Sequence, residues 1–236
     1  MYNLQFLFED SDLFAVYKPA GIHSVRLPSG GGTSLADLLL EHDPTLSEAS
    51  RTPLDAGLVQ RLDFETSGIM LGAKRKTTWD ALFEALVGGT IKKSYLAIVE
   101  GALAEPVQVS TYIGSPHRGA RKMRVYTAPP PASARALEGM TEFSLLRYDK
   151  IKDVSVVHAS ASPARRHQIR AHAAHLGHPL LGDSLYGSTR QLGSPHNPAQ
   201  RQFFLHASAL SLRHPASGEE IIISSEPFDE IDMLVG

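Results

Sequence analysis

Gly57 to Gly72 reads GLVQRLDFETSGIMLG, and the order of its residues sets the fold to be expected around it. Val59 and Leu62 precede Asp63, and Ile69, Met70 and Leu71 follow it. Short apolar runs broken by polar residues and glycine predict a strand, a tight loop and a second strand. Asp63 is then expected on a loop emerging from a sheet, where a scaffold can hold a reactive group in place. The alternative is an Asp that caps a turn through neighbouring backbone groups. The stretch by itself supports both equally.

Upstream, residues 4–8 and 12–18 read as two short strands around a Glu9-Asp10-Ser11 turn. Lys18-Pro19-Ala20-Gly21 ends the second, because proline cannot donate to a ladder and Gly21 permits a sharp turn. Lys18 could meet a phosphate there, or be a solvated turn lysine. Residues 28–33, PSGGGT, predict a flexible loop. Ser34 with Asp37 forms a capping box that opens a helix to about His42. Residues 43–56, polar with two prolines, read as a surface loop.

Downstream, Trp79, Leu82, Phe83 and Leu86 recur at helical spacing, and Gly88-Gly89 stops the helix. This stripe is core packing, so Trp79 is assigned no stacking role. Ile91–Val99 reads as a strand with Tyr95 inside it. His117–Val125 holds Arg118, Arg121, Lys122 and Arg124 between Gly/Pro-rich borders, the pattern of a mobile basic arm. Thr141–Tyr148 and Val154–Ala159 predict two further strands. His167–Leu176 predicts a helix closed by Gly177. Residues 188–202 read as another loop, and Ala209–Leu212 and Ile221–Ile223 as closing strands. Strands outnumber helices and hairpin-length turns join most of them, so the fold class is α+β with a largely antiparallel sheet.

Composition narrows the function. The chain has 236 residues and no cysteine, which removes disulfides, thiolate nucleophiles and Cys-based zinc sites together. The N-terminus carries three acids and no basic n-region, so it is not a signal peptide, and no apolar run approaches a membrane span. A cytoplasmic protein without membrane contact is expected. The net charge is −2, yet residues 61–213 hold 20 Lys/Arg against 11 Asp/Glu. A basic middle suits a polyanion, whose counterions are released on binding. Ordinary solvated charge gives the same count.

His167, His172, His175 and His178 crowd together, but no Glu lies beside the first of an i, i+4 pair, as a zinc protease helix requires. Histidines bonded to backbone or phosphate are the preferred reading, and no metal is expected.

RLDFETSG resembles the signature of the RluA-like pseudouridine synthases. Four other stretches resemble that family in the same chain order. They are Lys18-Pro19-Ala20-Gly21, Lys93-Ser94-Tyr95-Leu96-Ala97, Arg165–Arg170 with Gly177-His178-Pro179 and Gly182–Gly187, and Leu205-His206-Ala207 with His214-Pro215. Two positions depart from the family pattern. Gln60 stands where His is usual, and Ala164-Arg165-Arg166-His167 stands for Gly-Arg-Thr-His.

The resemblance implies the pseudouridine synthase fold, with RNA in a cleft across a largely antiparallel mixed sheet flanked by helices. It implies one catalytic domain over residues 1–236, without the small N-terminal RNA-binding domain of many relatives. A monomer is expected. The activity implied is isomerisation of uridine in ribosomal RNA, with transfer RNA as the alternative. Nothing is oxidised and no water is consumed, so no cofactor is needed. Asp63 would supply the carboxylate, as nucleophile at C1′ or base at C2′. Arg165 would pair with it, since planar guanidinium suits a carboxylate. Tyr95 would stack on the flipped uracil or help remove the C5 proton. Lys18, Arg61, Arg121, Lys122, Arg166, His167 and Arg170 are the expected RNA contacts.

Two other classes remain open on the residues. A glycoside hydrolase would need a second carboxylate, for which Glu65 and Asp183 are candidates. An inert RNA-binding protein would need neither Asp63 nor Tyr95.

Overall fold

The computed structural model describes residues 3–27, 30, 32–192 and 202–235, so parts of the expected loops at 28–33 and 188–202 lie outside the described residues. The elements in chain order are β1 (Phe6–Glu9), β2 (Leu13–Lys18), α1 (Leu35–His42), β3 (Ser67–Ala73), α2 (Lys76–Val87), β4 (Lys92–Glu100), β5 (Val107–Gly114), β6 (Arg124–Tyr126), β7 (Leu137–Asp149), β8 (Val154–Ala161), α3 (Gln168–His175), β9 (Leu205–Arg213), β10 (Glu220–Ser224) and α4 (Phe228–Val235). The class is α+β. The chain forms two compact units: residues 1–91 with 207–226, and residues 92–206 with 227–236.

In the first unit β1, β2 and β3 pair antiparallel in that order, and β10 pairs antiparallel with β9. β2 and β3 are near-continuous apolar runs because both their faces are covered. Leu13, Ala15, Ile69 and Leu71 pack with Trp79 and Leu82 of α2. The alternate residues Phe14, Val16 and Met70 pack with Leu35, Ala36 and Leu39 of α1. The capping box forms as expected: Ser34 accepts from the Asp37 amide, and Asp37 accepts from the Ser34 amide. Trp79 is core, its Nε1 donating to the Leu58 carbonyl at 3.0 Å and its ring stacked on Phe83.

In the second unit the strand order is β4-β8-β7-β5-β6, and each neighbouring pair is antiparallel. Leu96, Ile98, Val154 and Val156 form one apolar face with Leu181, Phe204 and Ile231 of α4. α3 is fastened to β7 and β5 by polar bonds. Gln168 Nε2 donates to the Met140 carbonyl at 2.7 Å and the Thr141 hydroxyl at 3.0 Å. His172 lies between the Thr141 and Thr111 hydroxyls at 2.8 and 2.9 Å.

Three expectations change. β5 and α4 are elements that the sequence reading left unassigned, although Val107, Val109, Thr111 and Ile113 alternate with polar residues as a half-buried strand does. The basic arm at 117–125 is anchored. Its end forms β6 on β5, and Ala120 is buried. The Met123 amide donates to the Tyr186 hydroxyl at 2.9 Å.

Candidate active site

The Asp63 loop belongs to the first unit and is held at each end. The Val59 amide bonds the Leu71 carbonyl at 3.0 Å, so the loop leaves from the edge of β3 and returns into it. Ser24 brackets Leu62, its hydroxyl donating to the Leu62 carbonyl and accepting from the Leu62 amide. A turn closes where the Thr66 amide donates to the Asp63 carbonyl at 3.1 Å. That turn uses the backbone carbonyl of Asp63, whose side chain is half-buried. Gly68 has φ +110°, and a Cβ there would stand 2.3 Å from the Ala207 carbonyl oxygen. Glycine is therefore required directly after Thr66-Ser67. Gln60 Nε2 reaches the Ile69 carbonyl at 3.4 Å, tying the loop back to β3.

Lys18 corrects an expectation. It has no exposure, and its ammonium donates to the carbonyls of Thr66 at 2.8 Å, Pro19 at 2.9 Å and Phe64 at 3.3 Å. A buried ammonium needs such acceptors, and two of them, Phe64 and Thr66, lie just beyond Asp63 in the chain. Lys18 therefore shapes the Asp63 loop and is not on a surface that a phosphate can reach. Arg61 is exposed and pairs with Asp55 at 3.0 Å.

Tyr95, Arg165 and the remaining candidates belong to the second unit. Tyr95 is buried in β4, opposite Ala159 of β8. Lys93 lies two residues before it, on the same side of the strand. Lys93 is half-buried, and burial pushes its ammonium down to about 8. Arg165 directly precedes the turn into α3. Its amide donates to the Gln168 side chain at 2.9 Å and its Nε to the Glu138 carbonyl at 3.1 Å. Its η nitrogens bond no described residue.

One expected RNA contact, Arg170, proves to be internal, while Arg166 and His167 make bonds within the second unit. Arg170 is buried and bidentate with Asp183, Nε to Oδ2 at 2.6 Å and Nη2 to Oδ1 at 2.9 Å. Its guanidinium also lies over the Phe203 and Tyr186 rings. Arg166 is exposed, yet it donates to the Ala120 and Arg121 carbonyls and so fastens the basic arm. His167 holds φ +55° at the start of α3 and bonds the Tyr186 hydroxyl at 3.1 Å. Arg121 and Lys122 are exposed, with Lys122 above the Tyr186 ring. Asp183, with 2 % exposure and a guanidinium across both oxygens, cannot serve as the second carboxylate of a hydrolase.

The histidines do not gather around one point. His172 faces two threonines, His178 the Glu100 carbonyl, and His167 the Tyr186 hydroxyl. Among the described residues Asp10, Asp12 and His214 come close enough to hold an ion. His214 Nδ1 accepts from the Ala216 and Ser217 amides, so Nε2 carries the proton that reaches Asp10. A protonated nitrogen is not a ligand. Burial pushes Asp10 up, but the Leu13 and Asp12 amides and His214 outweigh it and hold the carboxyl below its usual value. The cluster is a tie between two turns.

Solved structures share this fold. The human RNA pseudouridylate synthase domain containing 1 aligns with a TM-score of 0.68 at 23% identity, over 95% of this chain and 83% of its own. The human domain containing 4 aligns with a TM-score of 0.66 at 23% identity, over 94% and 87%. The family model described as RNA pseudouridylate synthase matches residues 12–175. The chain belongs to the RNA pseudouridylate synthase family. Ribosomal large subunit pseudouridine synthase D of Nitrosomonas europaea is 36% identical over 98% of this chain, which spans 64% of that relative's length. Ribosomal large subunit pseudouridine synthase C of Pasteurella multocida is 32% identical over 98% of this chain and 67% of its own.

Proposed function

We propose that the chain isomerises uridine to pseudouridine in RNA, and that ribosomal RNA is its substrate. Family membership and relatives described as ribosomal large subunit synthases support the reading. The structural observation that carries it is the Asp63 loop, a carboxylate on a turn fixed by a buried ammonium and a serine. Reaction at an anomeric centre needs a group that does not wander.

In this reading both units serve one catalytic domain, acting as a monomer. Asp63 supplies the carboxylate, as nucleophile at C1′ or base at C2′. The glycosidic bond to N1 breaks, the uracil turns, C5 bonds C1′, and the proton lost from C5 is matched by one gained at N1. Tyr95 meets the uracil, and Arg165 offers its η nitrogens to the carboxylate. Arg61, Arg121 and Lys122 supply exposed positive charge to phosphates. Atoms balance without oxidant, reductant or water, so the reaction calls for no cofactor or metal.

Asp63→Asn keeps shape and removes charge. Turnover on transcribed ribosomal RNA should vanish while RNA affinity stays within a few-fold and the melting temperature holds. An active Asp63→Asn protein would overturn the assignment of the carboxylate. A wild-type protein that releases free uracil would be a hydrolase, and one that binds RNA without converting uridine would be inert.

A further inference from the structure

The second unit contains a cavity of about 420 Å³ between the basic arm, α3 and Tyr186. Neither Tyr95 nor Arg165 lines it. Its size lies in the ~300–1,000 Å³ range of small-ligand pockets.

The sequence makes the space. Ala171 and Ala174 stand one turn apart on α3, where larger side chains would close the gap to β6. Met123 and Val125 face them from the arm, and Tyr186 forms the end wall. Lys122, Arg124 and His175 supply the polar lining, and no acidic residue takes part. All three are exposed.

The walls are fixed before anything enters. Gly114 pairs with Arg124 and Tyr112 with Tyr126 across β5 and β6. The Met123 amide is held by the Tyr186 hydroxyl, and Arg166 holds the Ala120 and Arg121 carbonyls. A slot already formed avoids the ordering cost of closing a loop on its ligand.

An apolar slot with a cationic mouth suits a flat, uncharged ring joined to an anion. A duplex cannot offer that, because its bases are stacked and paired; an unstacked nucleotide of single-stranded RNA can. We propose that this cavity binds one nucleotide of the RNA substrate other than the reacting uridine. Its base lies against Ala171, Ala174 and Met123, and its phosphate meets Lys122, Arg124 and His175. The proposal rests on RNA being the substrate and adds where a flanking nucleotide is held.

The test fills the slot without touching a charge. Ala174→Leu should weaken binding of a fluorescein-labelled single-stranded oligouridylate of roughly 12 nucleotides by about tenfold, with the salt slope unchanged. Its melting temperature should match the wild type, and Ala174→Ser should bind as wild type does. The unaltered protein gives a second measurement. The same oligomer carrying 4-thiouridine should photo-crosslink within residues 116–126 or 171–186. Affinity within about twofold in a folded Ala174→Leu protein would overturn the slot and leave only surface charge. Crosslinks confined to other segments would also overturn it, and they decide the matter if Ala174→Leu does not fold. Uridine conversion by the wild type separates the two readings. Conversion with an indifferent Ala174→Leu removes the slot alone, whereas no RNA binding and no conversion removes both.

Discussion

The ammonium of Lys18 donates to the carbonyl of Thr66 at 2.8 Å from a position with no solvent exposure. It also bonds the Phe64 carbonyl, so one buried cation grips the loop just beyond Asp63. Lys18→Met removes the donor and leaves buried carbonyls unpaired, at about 1–3 kcal/mol for each one that water cannot reach. The expected result is a lower melting temperature and a turnover reduced at least as far as the loop is loosened. RNA affinity should stay within a few-fold, with an unchanged salt slope. A flattened salt slope would return Lys18 to the role of a phosphate contact. Lys18→Arg should fail as well, because a fork of donors does not fit a ring of carbonyls shaped for an ammonium.

Arg170 and Asp183 form a buried charge pair, and each is tied into the second unit by more than the pair itself. Removing one partner leaves an uncompensated charge, which typically costs about 3–5 kcal/mol. Asp183→Asn and Arg170→Met should each lower the melting temperature strongly, measured by calorimetry. Turnover per folded molecule, measured well below the transition, should change far less than in Asp63→Asn. A folded, stable and inactive Asp183→Asn protein would restore that carboxylate to the chemistry.

These two lysine and arginine positions show where sequence reading stops. The Asp63 loop was legible because an apolar–polar–apolar order predicts a loop between sheet positions without knowledge of distant contacts. α1 was legible at Ser34 and Asp37, and α2 from a stripe every three or four residues, since both signals are local. Lys18 ends a strand beside Pro19, and nothing local says that carbonyls 46 and 48 residues away gather around its ammonium. Arg170 lies on the same helix as Ile169 and Ala173, which was a hint of burial. Its partner Asp183 is 13 residues further on, in a turn that has its own structural uses. Arg166 reads as a free surface charge until the arm it fastens is in place. β5 is legible from its alternation of Val107, Val109, Thr111 and Ile113 with other residues, a weaker signal than a continuous apolar run because its outer positions are exposed or only half-buried.

His172 gives the fold a pH dependence. It is fully buried, and burial together with the nearby charge of His175 pushes its imidazole down to about 4 from 6.5. The folded state therefore prefers the neutral ring, which donates to one threonine hydroxyl and accepts from the other. Above about pH 6.5 both states are neutral and the contribution is whole. As pH falls from 6.5 towards 4 the unfolded chain takes up a proton that the folded chain resists, so stability is lost. The gap corresponds to about 3 kcal/mol in full, most of it gone by roughly pH 4.5. Urea unfolding at neutral pH and near pH 4.5 measures it. His172→Gln, which keeps a donor and an acceptor but cannot charge, should lose most of this slope. Asp10 and Asp37, both held below the usual carboxylate range, act at lower pH and leave the window clear.

Lys93 carries the opposite kind of information, because it costs stability where it stands. It projects from the Tyr95 side of β4, half-buried, and no described carboxylate pairs with it. Desolvation alone lowers its ammonium to about 8 from 10.5. Below pH 8 the ammonium persists in both states and the burial cost is complete. Between 8 and 10.5 the folded chain gives up its proton first, and the cost fades; above 10.5 both states are neutral. Lys93→Met should therefore raise stability at neutral pH by about 1–2 kcal/mol, after allowance for solvent around a half-buried group. The gain should shrink towards zero near pH 10.5, in urea unfolding of variant and wild type side by side. If Lys93 serves the reaction next to Tyr95, the stabilised variant should also lose turnover while keeping its melting temperature above that of the wild type. A variant less stable at pH 7 would show that the ammonium has an acceptor in solution and does not cost the fold stability.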